Sequence, residues 1–497
     1  HAESRADAVS LLLPLLRHAA VLLAAAAAGA LVAAPWVPGG GRARLASPER
    51  AAWGMAAGLA LVAGSFPLGL LVGRPGWIPF LVLAGAAAAA SLLRPASKAA
   101  VFDAHAVSAP GAGRTAVALL AVIALGLALF AIRALTEPMW SNDFLAIWGL
   151  KGKTIYALSA VPRRLFSDPT LGFSHPEYPL GIPFLYAGLA SLAGGWDDHA
   201  AAVLFPLIQA ATLLALAGWL RRRGVPRPVV LSAAAVLALD LPLYTASRVG
   251  LADIPLSFFA LLLGTSLSDA VDGSDSGAPV RLALASTLAA ATKNEGLFLA
   301  AAALAVGLIA SRRRDGSPRD PGASGRRRGL ALAVVLPALA VFVSHRFWRG
   351  SAPLRDFDFG LLAPARWGEL ASRMAETAGQ EALHVLLPSL AIVAALAVLF
   401  ALGRRTPWAD RLLAIAACAA AAYLFLPSLG LYPGHPEMGP LFLVRTAVGR
   451  TLSALGPLVA AGLAGRLGAL VSGAASIRRT GAAQPSVPTP TTEARTP

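Results

Sequence analysis

The chain has 497 residues, of which 57% are hydrophobic and only 14% charged, with a mean hydropathy of +0.66. Soluble domains carry about 25% charged residues, so this composition excludes a soluble globular protein and indicates a polytopic α-helical membrane protein. The net charge of +16 does not indicate nucleic-acid binding, because the arginines cluster in short connectors between apolar runs (Arg221–Arg223, Arg312–Arg314, Arg326–Arg328, Arg404 and Arg405), as positive-inside topology requires.

In chain order, apolar runs at 9–34, 52–73, 76–93, 115–135, 199–220, 229–246, 251–268, 281–293, 296–310, 329–348, 383–403, 409–427 and 448–471 predict an all-α protein with about 13 spanning helices. The first run is long for a signal h-region and is read as a helix. Leu180–Ala193 is too short to span and is read as a half-helix or re-entrant segment. The basic loops 39–50, 221–228, 311–328 and 404–408 are assigned to the cytoplasm. Alternation then places 136–198, 247–253, 293–296, 349–382 and 428–447 outside. Residues 1–114 form N-terminal transmembrane helices, 115–310 a central module with an outer loop at 136–180, and 311–475 C-terminal helices. A Pro/Thr-rich tail at 476–497 is expected to be disordered.

Cys418, the one cysteine, lies inside an apolar run, so neither an intrachain disulfide nor a thiolate metal site can be built. The eight histidines show no H-x-x-x-H pair at helical ligand spacing, and no zinc site is expected.

Ionisable groups at membrane depth cost about 2.5–3.5 kcal/mol each on insertion scales, so those in the outer segments are candidate functional residues. Asp143, in Trp-Ser-Asn-Asp-Phe-Leu-Ala-Ile-Trp, is either a partly desolvated general base or a helix N-cap; Trp148 lies at the end of the same run. Lys151 and Lys153 follow. His175-Pro176-Glu177-Tyr178-Pro179 either positions a second acid and a substrate-binding tyrosine or is a proline-rich helix entry with an interfacial aromatic. Asp253 has Arg248 about a turn away, which suits a structural pair. Lys293 and Glu295 are either an internal neutralising pair or present a phosphate-facing lysine. Of four lysines in the chain, three fall on the outer side, and lysine is a compact point charge suited to an anionic leaving group. His345, Arg346 and Arg349 suit a lipid phosphate or an ordinary interfacial belt, as does Tyr432–Met438.

The long outer loop with an early Asp, the His-Pro-x-x-Pro entry, the Ala-Asp-Ile-Pro bend and Thr-Lys-Asn-Glu-Gly, in that order, resemble the GT-C glycosyltransferases, and most of all the protein mannosyltransferase-like branch, glycosyltransferase family 39. The resemblance covers roughly residues 115–310. It implies a GT-C-like fold and a sugar transferred with inversion from a polyprenyl-phosphate donor. The acceptor would be a glycan, lipid or protein hydroxyl. It also implies that Asp143 is the catalytic base and that the active side faces outside the bacterial inner membrane. No organic cofactor is implied, and a divalent metal is left open. The family often pairs two adjacent acids at this position; here Asn142 precedes Asp143, so Glu177 is the candidate second acid. Lys151, Lys153, Lys293 or Arg346 could neutralise the departing phosphate, with Trp148, His175, Tyr178, Arg248, Asp253 and Glu295 completing the substrate site.

Three rival functions stay open. A transporter or flippase of lipid-linked saccharides would show inverted repeats, and no self-similarity is found between the halves. A non-catalytic assembly subunit would not require Asp143. An O-antigen ligase or polymerase-like enzyme would use a late loop, here 349–382 with Arg355, Asp356, Asp358, Arg366 and Arg373.

Overall fold

The computed structural model describes residues 2–33, 47–92, 113–244, 249–273, 276–314, 323–350, 358–381, 405–430 and 449–481. Among them every element is helical. The chain opens with α1 (Ala2–Ala33), α2 (Ser47–Val72), α3 (Trp77–Leu92) and α4 (Gly113–Thr136). A polar segment of short pieces follows: a π-helical turn at Phe144–Trp148, α5 (Gly149–Leu158), α6 (Arg164–Ser167) and a 3-10 turn at Pro169–Ser174. Then come α7 (Gly181–Ala193), α8 (Leu204–Arg222), α9 (Arg227–Tyr244), α10 (Asp253–Asp272), α11 (Ala278–Thr292), α12 (Asn294–Arg314) and α13 (Ala323–Arg349). The last described helices are α14 (Trp367–Glu381), α15 (Pro407–Phe425), α16 (Gly449–Ser453) and α17 (Gly456–Gly481).

Nine helices among the described residues are long and apolar enough to cross a membrane, against the about 13 expected from sequence. The apolar runs at 76–93 and 281–293 form α3 and α11, of 16 and 15 residues. At 1.5 Å per residue α11 reaches only about 22 Å, short of a hydrocarbon core of about 30 Å. The run at 229–246 forms α9, which is not among the nine, and the run at 383–403 lies outside the described residues. Leu180–Ala193 forms α7, whose 13 residues are too few to span. Helix α17 continues to Gly481, past the 475 boundary, and the rest of the tail lies outside the described residues.

Burial orders the bundle. The apolar window of α10 is 94% buried, against 17% for α4 and 11% for α13. A helix that is apolar all round and enclosed by neighbours is a core helix, whereas the apolar faces of α4 and α13 are left for lipid. Helices α8, α11, α12, α15 and α17 all pack on α10. Lipid gives no hydrophobic drive for one helix to prefer another, so small residues that let backbones approach become important. Gly54 and Gly58, four apart on α2, face the Ala25–Ala30 backbone of α1, and a methyl group at either would collide with it.

Charge is concentrated at the two ends of α10, about 24 Å apart by helix rise from Asp253 to Asp269. At the C-terminal end Asp269 meets Arg222, Arg223 and Arg281 at 2.7, 2.6 and 3.1 Å. Arg222 also reaches Glu49 of α2 at 2.8 Å, and Asp272 binds Arg223 and Arg411 at 2.7 and 2.6 Å. This network ties together α2, α8, α10, α11 and α15. It joins residues from or beside 39–50, 221–228 and 404–408, the loops that the arginine pattern assigns to one side. Several of the groups expected on the other side meet at the N-terminal end of α10.

Candidate functional site

Ser-Asn-Asp at 141–143 reads as a helix cap, and the cap forms, but through the serine. Ser141 Oγ accepts from the Phe144 backbone N–H at 3.2 Å, while the Asp143 side chain makes no capping bond. The π-helical turn that follows, a geometry found mostly as single turns at functional sites, carries Phe144, Ile147 and Trp148 inward. Freed from capping, Asp143 Oδ2 accepts from Arg450 Nη2 of α16 at 2.7 Å. Gly250 fixes the approach of this turn to the bundle. Its φ of +93° favours glycine, and a Cβ there would lie 2.8 Å from the Phe144 side chain. Tyr186 of α7 donates to the Gly250 carbonyl at 3.3 Å and meets the Phe144 ring edge-on at 5.6 Å.

Arg450 also turns its Nε toward Asp253 Oδ2 at 3.0 Å. Asp253 opens α10, where the unsatisfied N–H groups favour an anion. Its other oxygen faces Lys293 Nζ at 3.3 Å, and Lys293 in turn pairs with Glu295 at 2.8 Å. Lys293 sits in extended conformation at the junction of α11 and α12, so its ammonium can point across to α10. Tyr423 of α15 donates to the Glu295 backbone carbonyl at 3.0 Å. The result is a continuous chain, Asp143–Arg450–Asp253–Lys293–Glu295, of three carboxylates and two cations from four parts of the sequence. It runs inward: Asp143 and Arg450 have side chains 22% and 23% exposed, Asp253 and Lys293 only 3% and 2%.

The His-Pro-Glu-Tyr-Pro cluster packs beside this chain. The Tyr178 ring stacks with Trp148 at 5.2 Å and with His175 at 5.1 Å. Burial holds the Tyr178 hydroxyl well above its usual pKa, and the nearby Glu295 and Asp143 charges add to the rise, so it stays protonated. His175 adopts a left-handed backbone with φ of +50°, uncommon for a residue with a side chain. Its carbonyl accepts from buried Lys151 Nζ at 2.6 Å, and its Nδ1 lies 3.7 Å from Glu177 Oε1. Glu177 is buried, and neither carboxylate oxygen has a hydrogen-bond partner among the described residues. A buried acid without a hydrogen bond is costly, and such strain collects at functional sites.

The structure therefore brings together Asp143, Trp148, Lys151, His175, Glu177, Tyr178, Asp253, Lys293 and Glu295. It does not bring Lys153 or Arg346 into the group. Lys153 is two residues, about 200°, round α5 from Lys151, and pairs with Asp198 at 3.5 Å at the surface. Arg346 is exposed on α13, next to His345, which packs edge-on to Phe166 at 6.2 Å. Arg248 and Tyr432–Met438 lie outside the described residues. The expected pair of Asp253 with Arg248 therefore falls outside the described residues, and among those described Asp253 meets Lys293 and Arg450. Sequence reasoning missed Arg450. The available signal was an arginine inside the apolar run 448–471, on the side where the positive-inside rule leaves few.

Chemically, the accessible end offers a carboxylate beside a guanidinium, which can accept a proton and bind an oxyanion at neighbouring points. The buried end can fix the position of that pair. No group of three or more His, Cys, Asp or Glu among the described residues could hold a metal ion. Neither a protein-family model, nor a curated protein, nor a solved structure matches the chain.

Proposed function

We propose that this protein is a GT-C-type membrane glycosyltransferase, moving a sugar with inversion from a polyprenyl phosphate to an acceptor hydroxyl on the outer face of a bacterial inner membrane. The observation that supports the reading most is the partly exposed Asp143–Arg450 pair, held from inside the bundle by Asp253, Lys293 and Glu295. In the proposed step the acceptor oxygen bonds to the anomeric carbon as the bond from that carbon to the phosphate oxygen breaks. The hydroxyl proton passes to Asp143, and polyprenyl phosphate leaves as the anion. Arg450 is the phosphate ligand in this scheme, in place of Arg346 or Lys153. A donor phosphate that competes for Arg450 would free Asp143 to take the proton, so the base is activated only when donor is bound. Lys293 acts through Asp253 and does not touch phosphate. The Trp148, Tyr178 and His175 rings stand beside the base, where a sugar ring could be enclosed.

The test uses purified protein in nanodiscs with a panel of radiolabelled polyprenyl-phosphate sugars, measuring sugar transfer and release of polyprenyl phosphate. Asp143→Asn should reduce turnover by about 10²–10⁴-fold with folding retained, since Ser141 provides the cap. Absence of donor cleavage across the panel, or full turnover in Asp143→Asn, would refute the proposal. Donor that crosses vesicle membranes uncleaved would identify a flippase.

A further inference from the structure

Helix α14 has three faces. Taking 100° per residue, Leu370, Arg373, Thr377 and Glu381 fall on one side and turn toward the protein. Thr377 accepts from Ser428 Oγ at 3.1 Å, and Arg373 donates to the Gly430 carbonyl at 3.2 Å. About 100° round the helix, Trp367, Ala371, Met374 and Ala378 form an apolar stripe at i, i+4, i+7 and i+11, and all four are exposed. Leu362, in the turn just before the helix, is exposed as well. The remaining face carries Glu369, Ser372 and Glu376.

Two features show how this geometry is fixed. Arg366 bridges Asp358 and Glu369 at 2.8 and 2.9 Å, and Arg373 meets Glu369 at 3.0 Å, an ion-pair ladder on the side of the helix away from the stripe. The Trp367 indole N–H donates to the Leu362 carbonyl at 3.1 Å, so its polar atom is satisfied within the chain and the ring can enter apolar surroundings. The position of α14 says what those surroundings are. The helix packs on α15 and on the turn Leu426–Leu429, the last residues of the candidate span Pro407–Leu429. In the chain it follows α13, whose candidate span ends at Arg349. An amphipathic helix seated on the end of one spanning helix, with its apolar stripe beside the docked face and its charges opposite, lies where the bilayer surface is.

We propose that α14 is a membrane-surface helix whose Trp367–Ala371–Met374–Ala378 stripe, with Leu362, lies in the interfacial layer of the phospholipid bilayer. The stripe anchors the outer loop against the membrane, and the docked face fixes that loop to α15. Trp at the first position suits the headgroup boundary, where an amphipathic ring is favoured, and helices of this kind place their apolar faces about 5–10 Å into the headgroup–acyl boundary.

The experiment uses the full chain with Cys418→Ser, which removes the native thiol. Single cysteines are introduced as Met374→Cys and Ala371→Cys on the stripe, and as Glu376→Cys on the polar face. Each is labelled with an environment-sensitive fluorophore in phosphatidylcholine–phosphatidylglycerol nanodiscs loaded with one protein copy. Positions 374 and 371 should emit to the blue of 376. A nitroxide near the headgroup end of the acyl chain should quench them at least about threefold more strongly than 376, with aqueous iodide showing the reverse order. Equal iodide quenching at 374, 371 and 376, with no lipid quenching, overturns the proposal. Shielding at 374 that arises only in discs carrying two or more copies also overturns it, and assigns the stripe to a second copy of this chain. Because every labelled position is exposed, substitution does not disturb the packed face, and two stripe positions guard against a local effect of the probe.

Discussion

Replacing Arg450 is the most informative perturbation. Its guanidinium contacts Asp143 at 2.7 Å and Asp253 at 3.0 Å, so Arg450→Gln takes the arginine from the first carboxylate and one of its cations from the second, which keeps Lys293. Removing one partner of a fully buried pair costs about 3–5 kcal/mol. Asp143 and Arg450 are roughly a quarter exposed, and water can solvate the acid once the arginine is gone, so the stability loss should be smaller, about 1–3 kcal/mol. Turnover should suffer more. If Arg450 meets charge that develops on the departing phosphate, its loss should cost about 10²–10³-fold, the effect of removing one preorganised donor. Arg450→Lys separates the two terms. It retains a cation but loses the fork that reaches two carboxylates at once, so stability should largely recover while activity recovers only in part. The assay is release of polyprenyl phosphate by each variant in nanodiscs, alongside thermal unfolding in the same preparation. Wild-type turnover in both variants would refute the assignment of Arg450 to the phosphate. A loss of activity that tracks the fraction unfolded would reduce it to a structural tie.

Two further outcomes follow from groups away from this site. Asp269→Asn keeps shape but leaves Arg222, Arg223 and Arg281 to share the remaining acids, and should destabilise the bundle by about 3–5 kcal/mol in SDS-titration unfolding; a loss below about 1 kcal/mol would show the pairs to be as weak as surface ones. Glu381, on the docked face of α14, has its carboxyl pushed up by burial to about 7 from an ordinary 4.5. Between those values the folded protein binds a proton that the unfolded chain does not. The contribution of Glu381 is therefore fully present below pH 4.5 and is lost as the pH rises through 7. The protection of α14 amides, relative to their intrinsic exchange rates at each pH, should fall over that window, and Glu381→Gln should flatten the dependence; an unchanged profile in the variant would remove Glu381 as its source.

The membrane class was legible because the bilayer admits few solutions, and nearly every long apolar run emerges as a helix. The shortness of α11 was legible from its run at 281–293, whereas the number of crossings was not, since hydropathy cannot distinguish a span from a helix buried among others. Asp253, Lys293 and Glu295 stood out because charge amid apolar sequence is costly. Lys151 and Lys153 looked alike as letters, and only the register of α5 sends one inward and the other to Asp198. At Asp143 the sequence supported a cap and a base equally, and the balance turned on which side chain of Ser-Asn-Asp faced the first free N–H. Ser141 takes it, so the acid is available for Arg450, 307 residues away. A charge within a membrane protein signals through its cost that a partner exists, but carries no information about where in the chain that partner lies. Nearby Arg248 was therefore the natural partner to assign to Asp253, and it lies outside the described residues; the partners that helix packing delivers from afar, Lys293 and Arg450, were not legible. Asp253 is thereby the node through which the buried Lys293–Glu295 pair holds Arg450, and through Arg450 the carboxylate of Asp143. If Asp143 is the base proposed above, turnover should then fall in Lys293→Ala even though the two never touch, and unchanged turnover in that variant would break the link.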